Sequence, residues 1–307
     1  MDTETPLITV DHFAMRFGKT TVINDLSFTV RRGETFGFLG SNGSGKTTTI
    51  RALLGIYEPS GGTLYVGDGP YKVDGTIKLG YLPEERGLYK KENVISTMMY
   101  FGQLKGMSAQ DAKEWSLDYL ARVDLEDKAA VRLDKLSGGQ QQKVQLGITI
   151  MNDPDLLILD EPTKGFDPVN RRLLMDMIEE HQKRGATVIF VTHQMEEVER
   201  LCDRVLLLKD GTARLYGTID EVKKSFGGNN VIEIVSEHTV PKNDKLYTIK
   251  HQDGKMVTIE PKADMLAIQR SLTGAGVAYT RFELKQLSLD DIFLEIYGTE
   301  SKEGIHA

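Results

Sequence analysis

The stretch Gly40-Ser41-Asn42-Gly43-Ser44-Gly45-Lys46-Thr47-Thr48 sets glycines, a lysine and two hydroxyls in the order G-x-x-x-x-G-K-[ST]. These residue types in this order suit phosphate. Gly40, Gly43 and Gly45 let the backbone curl so that successive N–H groups point at phosphate oxygens, and a following helix adds the positive end of its dipole. Lys46 would reach the β- and γ-phosphates, and the Thr47 hydroxyl would hold Mg²⁺, whose octahedral preference suits one hydroxyl plus phosphates and waters. A glycine-rich turn that binds nothing is the competing reading. The flanks argue against it: apolar Phe36 to Leu39 precede the loop, and Ile50, Leu53, Leu54 and Tyr57 follow at helical spacing.

A second group lies downstream. Leu156-Leu157-Ile158-Leu159 reads as a parallel strand buried on both faces, with Asp160 and Glu161 at its carboxyl end, where ligands sit in open α/β sheets. Asp160 can hold Mg²⁺ through water, and Glu161 can orient or deprotonate an attacking water. Two adjacent acids are uncommon as packing, because an unpaired buried charge is costly. A further strand, Thr187 to Val191, ends at Thr192-His193 and brings His193 to the same sheet edge. Leu136-Ser137-Gly138-Gly139-Gln140 precedes a helix with Val144, Leu146, Ile148 and Ile150. Ser137 is placed to cap it, and the two glycines allow close approach of a backbone or a phosphate. Phe17, in a loop ahead of the phosphate stretch, offers a ring for stacking on adenine; core packing is the plain alternative.

The elements that must position these residues follow from periodicity. Leu7 to Val30 suggests strands, with Ile8, Val10 and His12 alternating, then Leu26, Phe28 and Val30. Gly61 to Gly75 suggests a small hairpin lobe. Leu79 to Tyr89 is a strand running into a loop, and Asn93 to Lys128 turns helical; Met98, Met99 and Met107 there read as packing.

Composition bounds the function. A chain of 307 residues suggests two domains, and the net charge of -7 argues against a nucleic-acid partner held by phosphate neutralisation. Its single cysteine, Cys202, fits a reducing compartment. No long apolar run and no signal-peptide pattern is present, so work at a membrane would borrow another chain to cross it.

Taken together, the phosphate loop, Leu136 to Gln140, Asp160-Glu161, Gly165-Phe166-Asp167-Pro168 and His193 resemble the ATP-binding subunit of an ABC transporter. The likeness covers residues 7 to 220. It implies an α/β, P-loop NTPase core of ABC type with an antiparallel β lobe and an inserted helical subdomain at about 86–150. It also implies ATP as substrate with Mg²⁺, Glu161 as general base and His193 at the γ-phosphate. A head-to-tail dimer, homomeric or heteromeric, would let Ser137, Gly138, Gly139 and Gln140 of one protomer close over ATP held by Lys46 of another, with Asp167 linking the two sites. Phe17 stands where the family usually has tyrosine. Glu84 stands where a glutamine usually couples the Mg²⁺ site to the permease.

The run Gly80 to Tyr89 resembles sodium-extrusion-like exporter subunits that pair with ABC-2 type permeases. Export of sodium or a small toxic compound through a separate permease, from the cytoplasmic side of the membrane, is the expectation. The alternatives are an importer subunit or a soluble ABC ATPase of ribosome or DNA. The single phosphate loop and the lack of long coiled coils or zinc cysteines count against the latter.

Residues 229–301 read as a small C-terminal α+β domain that does no chemistry. Val231 to Val235, Lys245 to Lys250 and Lys255 to Ile259 suggest strands, the last two joined by a turn at Gln252-Asp253-Gly254-Lys255. Ala263 to Leu272 suggests a helix, Tyr279 to Leu284 another strand, and Ser288 caps a last helix. His238 and His251 lack partners at metal-ligand spacing.

Overall fold

The computed structural model describes residues 5–72, 75–85, 87, 91–226, 231–285 and 288–298. The chain divides into two compact units, Met1–Gly217 and Thr218–Ala307. The expected domain limits at 229 and 301 lie outside the described residues.

The first unit opens with two long antiparallel strands, β1 (Pro6–Phe17) and β2 (Thr20–Arg31), followed by β3 (Thr35–Leu39), helix α1 (Lys46–Leu53) and β4 (Gly61–Val66). The alternation expected through His12 breaks there. His12 adopts a φ of 48°, the pairing shifts between Val10 and Phe13, and Phe13 is buried in its place. This bulge is accommodated at Gly62, where a Cβ would lie 2.2 Å from the His12 carbonyl oxygen. Among the described residues from 61 to 75, β4 has no second strand of its own, only an isolated antiparallel bridge from Val66 to Gly69. β4 pairs with β1 to give the sheet order β2-β1-β4. The reason is burial: Leu64 and Val66 join the core only from the edge of a larger sheet, and an isolated hairpin has little stability in water.

The main sheet adds β5 (Leu79–Leu82), β6 (Leu156–Asp160), β7 (Thr187–Val191), β8 (Arg204–Lys209) and β9 (Thr212–Thr218), in the order β5-β6-β7-β3-β8-β9. β3, β6 and β7 run parallel and are buried throughout, which is why they read as unbroken apolar runs. Their register sets Phe38 and Asp160 on either side of Val191. The inner face of the β2-β1-β4 sheet packs on this sheet, with Phe28 stacked on Phe36 at 5.5 Å between centroids.

Three helices follow β5: α2 (Val94–Leu104), α3 (Ala109–Arg122) and α4 (Gly138–Ile150). Each starts at a side-chain cap, Asn93, Ser108 and Ser137, and Ser137 forms a full capping box with Gln140. Met98 is fully buried and Met99 and Met107 are half-buried, so these methionines pack. α4 is held against α3 at Gly147, where a Cβ would lie 2.4 Å from the Tyr119 ring, while the Tyr119 hydroxyl donates to the Lys143 carbonyl at 2.7 Å. Helix α5 (Pro168–Lys183) joins β6 to β7, and α6 (Met195–Leu201) joins β7 to β8.

The second unit comprises α7 (Ile219–Ser225), β10 (Val231–Ser236), β11 (Tyr247–Asp253), β12 (Met256–Pro261), helix α8 (Met265–Gly274), β13 (Tyr279–Lys285) and α9 (Leu289–Gly298). Its antiparallel sheet has the order β11-β12-β10-β13. Ile232, Ile234, Val257 and Ile259 pack against Ile268 and Leu272 of α8, and Gly254 takes the positive φ needed in the hairpin turn. Ser288 accepts from the Asp291 backbone at 3.1 Å and starts α9 as expected. Among the described residues no helix is long and apolar enough to cross a membrane.

The Gly147 contact yields a prediction. Gly147→Ala forces a methyl into the Tyr119 ring and should destabilise the chain by about 1–3 kcal/mol, read as a lower thermal midpoint. An unchanged midpoint would show that Tyr119 moves aside freely.

Candidate functional site

The phosphate-type loop is shaped by its glycines. Gly40, Gly43 and Gly45 have φ values of 149°, 82° and 109°. At Gly40 a Cβ would lie 2.3 Å from the Leu208 carbonyl oxygen, and at Gly45 one would lie 2.4 Å from Ile23 Cδ1. The loop is thus wedged between β2 and the end of β8, and the Gly211 backbone donates to the Ser44 carbonyl at 3.2 Å. Lys46 opens α1 and turns back over the loop. Its Nζ donates to the Gly40 and Ser41 carbonyls at 2.7 and 3.0 Å. Burial lowers its pKa, opposed by the charges of Glu161, Asp160 and Glu84.

Asp160 ends β6, and the Thr47 hydroxyl donates to its Oδ2 at 3.3 Å. Glu161 sits at φ 51°, a left-handed conformation uncommon for its residue type, held by a bond from its backbone N–H to the Val191 carbonyl at 2.8 Å. That turn aims its side chain across to β7. His193 Nδ1 lies 2.8 Å from Glu161 Oε1. An ionised carboxylate only accepts, so this geometry puts the imidazole proton on Nδ1. Glu161 Oε2 is buried with no hydrogen-bond partner among the described residues. Burial, then the charge of Glu84, pushes Asp160 up to about 6; Glu161 adds to this, against the Thr47 hydrogen bond and Lys46.

These groups line one cavity of 260 Å³, formed by Val22, Asn42, Gly43, Gly45, Lys46, Thr47, Thr48, Glu84, Asp160 and Glu161. Three carboxylates face one ammonium there, and the charges of Glu84 and Glu161 add to the burial that raises the Asp160 pKa. A hard divalent cation relieves that negative excess through oxygen donors, so the residues fit Mg²⁺. Among the described residues no three acidic, histidine or cysteine side chains are spaced to cage a metal. The set therefore suits an ion completed by phosphates and water.

The structure thus gathers the loop, Thr47, Thr48, Glu84, Asp160 and Glu161, with His193 joined through Glu161. Phe17 and residues 137–140 and 167 do not line this cavity. Phe17 is 46% exposed and edge-on to Tyr57 at 5.3 Å, which removes the core alternative and leaves its ring open. Ser137 spends its hydroxyl oxygen on the Gln140 backbone, and a Cβ at Gly139 would lie 3.9 Å from the Phe166 ring. Asp167 caps α5 by accepting from the Val169 and Asn170 backbones at 3.0 Å.

Glu84 has a partner that sequence reasoning missed. Lys164 Nζ lies 2.6 Å from its Oε1. The signal was a lone cation between Glu161 and Asp167, visible but unassignable without a distance. Val22, an apolar wall from β2, carried no motif at all.

Comparison with known proteins adds the following. The family described as ABC transporter matches residues 23–164, and the C-terminal domain of ATP-binding protein DrrA1-3-like matches residues 217–297. An uncharacterised ABC transporter ATP-binding protein of Methanocaldococcus jannaschii is 39% identical over 94% of this chain and 99% of its own length. The Nod factor export ATP-binding protein I of Burkholderia lata is 35% identical over 94% of this chain and 96% of its own. A solved ATP-binding subunit of an ABC transporter superposes with a TM-score of 0.67 at 29% identity, covering 72% of this chain and 93% of that one.

Two measurements follow from the electrostatics. Because the folded-state pKa of Asp160 lies above its ordinary value, the folded chain keeps a proton that the unfolded chain releases. The resulting cost is fully present above about pH 6 and gone below about pH 4. Asp160→Asn should therefore raise the thermal stability of the nucleotide-free protein at pH 7.5 by on the order of 2–3 kcal/mol, with the gain fading towards pH 4. A gain independent of pH would contradict the cause given. Lys164→Met leaves the Glu84 charge unbalanced and should weaken Mg²⁺-free ATP binding by about two- to fivefold, with Glu84→Gln in the same chain restoring it. Equal affinities in all three proteins would make the pair a bystander.

Proposed function

This chain belongs to the family of ABC transporter ATP-binding proteins, and from that premise we propose that it hydrolyses ATP in the Lys46 cavity to power export through a separate membrane permease. The hydrolysis is ATP + water to ADP + phosphate. The observation that carries the site assignment is the Glu161–His193 pair at 2.8 Å, set at the sheet edge beside the Lys46 loop and Asp160.

In this reading Lys46 exchanges the Gly40 and Ser41 carbonyls for β- and γ-phosphate oxygens, which its positive charge prefers. The Thr47 hydroxyl and Asp160 hold Mg²⁺, with Glu84 beside them. When bound, that ion neutralises phosphate charge and polarises the phosphoryl oxygens. Glu161 is the general base, its carboxylate taking the proton of the attacking water while His193 holds it at Oε1. His193 keeps the carboxylate in place and presents its other ring nitrogen outward towards the γ-phosphate. Phe17 stacks on adenine through its open face.

Residues 137–140 and 167 serve a second protomer in this proposal. The capped start of α4, with glycines at 138 and 139, suits the phosphates of ATP held by Lys46 of another copy or a related subunit. ATP then acts as the adhesive of a head-to-tail dimer. The export direction is supported by the Gly80 to Tyr89 run and by the likeness to the Nod factor export protein. Sodium or a small toxic compound as cargo rests on that run, and location on the cytoplasmic face of the membrane follows from pairing with a permease. Residues 229–301 serve coupling or dimer contact.

Glu161→Gln tests the assignment. The carboxamide keeps the shape while losing the basic oxygen, so ATP binding should persist, turnover should fall by about 10²-fold or more, and light scattering should show a dimer with ATP. Turnover near the unsubstituted rate at saturating ATP would remove Glu161 from the role.

A further inference from the structure

We propose that Glu197 is a positioning residue for ATP hydrolysis, binding the turn after Glu161, the turn before His193 and the first turn of α5 into one buried cluster. The proposal rests on the assignment of Glu161 and His193 made above.

Glu197 stands in the first turn of α6 and is only 5% exposed. A carboxylate so buried is costly unless its oxygens are bonded. Its Oε2 accepts from the Thr163 hydroxyl at 3.0 Å. Thr163 and Thr192 are both fully buried. Thr163 lies two residues after Glu161 and Thr192 one residue before His193, so the carboxylate reaches the first segment directly and the second through Thr163 and Gln194. Gln194 makes that second link: its Nε2 donates to Thr163 Oγ1 at 3.3 Å and its backbone to Thr192 Oγ1 at 3.1 Å.

The third arm is incomplete. Glu197 Oε1 lies 3.5 Å from Arg171 Nε, and neither of these buried atoms has a hydrogen-bond partner among the described residues. Arg171 sits one turn into α5, its backbone bonded to the Asp167 carbonyl at 2.9 Å. A shift of α5 by about 0.5 Å would complete the bond. Whatever engages Asp167 therefore acts, through Arg171 and Glu197, on the placement of Glu161 against His193. A carboxylate serving only the start of α6 would need none of these three connections.

Steady-state turnover, equilibrium binding of a trinitrophenyl-ATP probe and thermal melting of the full chain decide the matter for three variants. Glu197→Gln keeps an acceptor for Thr163 but turns an amide against Arg171. It should lower kcat by about tenfold or more while KM and probe affinity stay within about twofold. Arg171→Met, on the more exposed side, should lower kcat by about threefold with the same split, and decides the question if the first variant fails to fold. Turnover of both within about twofold of the unsubstituted chain overturns the proposal. So does a joint loss of probe affinity, melting temperature and kcat in both, which marks Glu197 as holding the fold alone. Glu161→Gln distinguishes the two levels. If it is inactive while the other two are normal, only this inference falls; if it keeps full turnover, the assignment of Glu161 falls and takes this inference with it.

Discussion

The parallel register of β3, β6 and β7 is the constraint on which the rest of this molecule depends. Phe38, Asp160 and Val191 lie in one row across three buried strands, so within two residues of that row all three chains leave the sheet side by side. Gly40 starts the phosphate-type loop, Glu161 turns into the left-handed region, and Thr192 leads to His193. A slip of one residue in β6 would reverse every side chain and send Asp160 to the opposite face. Such a slip is prevented because both faces are buried, and each strand end is tied by its neighbour, as the Glu161 N–H is by Val191.

Upon that frame the site concentrates negative charge. Glu84, Asp160 and Glu161 share a cavity with one ammonium, and Lys46 is partly spent on the carbonyls of its own loop. Where Asp160 and Glu161 are buried such an arrangement is unfavourable until a cation and a polyphosphate complete it, so the folded chain carries a cost that its substrate removes. Lys164 moderates the excess at Glu84 from an exposed position, where solvent screening limits its strength. The left-handed Glu161 is a second local cost, borne by the hydrogen bonds around it.

Hydrophobic packing positions the charged groups without touching ligand. Ile23 and Leu208 press on the glycine loop, and Tyr119 presses on Gly147 and so holds α4, whose first residues bear the Ser137 capping box. α4 also reaches towards the acid edge, Gln142 Nε2 donating to the Pro162 carbonyl at 3.4 Å. The second unit shows the same logic at smaller scale, one antiparallel sheet with α8 over its apolar face.

Where residue type and spacing encode local geometry, the sequence by itself determined this protein: the glycine loop opening α1, the apolar strands ending in Asp160 and Thr192, the Ser137 cap, the hairpin at Gly254. Each depends on neighbours along the chain, through backbone sterics, helix capping and burial of an unbroken apolar run. Tertiary structure alone decided the bulge at His12, the annexation of Gly61–Val66 by β1, the Lys164 partner of Glu84 and the Glu197 cluster. Those outcomes join residues many positions apart, and a side-chain contact a few ångströms long has no signature in local periodicity. Charge pairing in particular is set by which loops the sheet register brings face to face, and that register exists only once the core is formed.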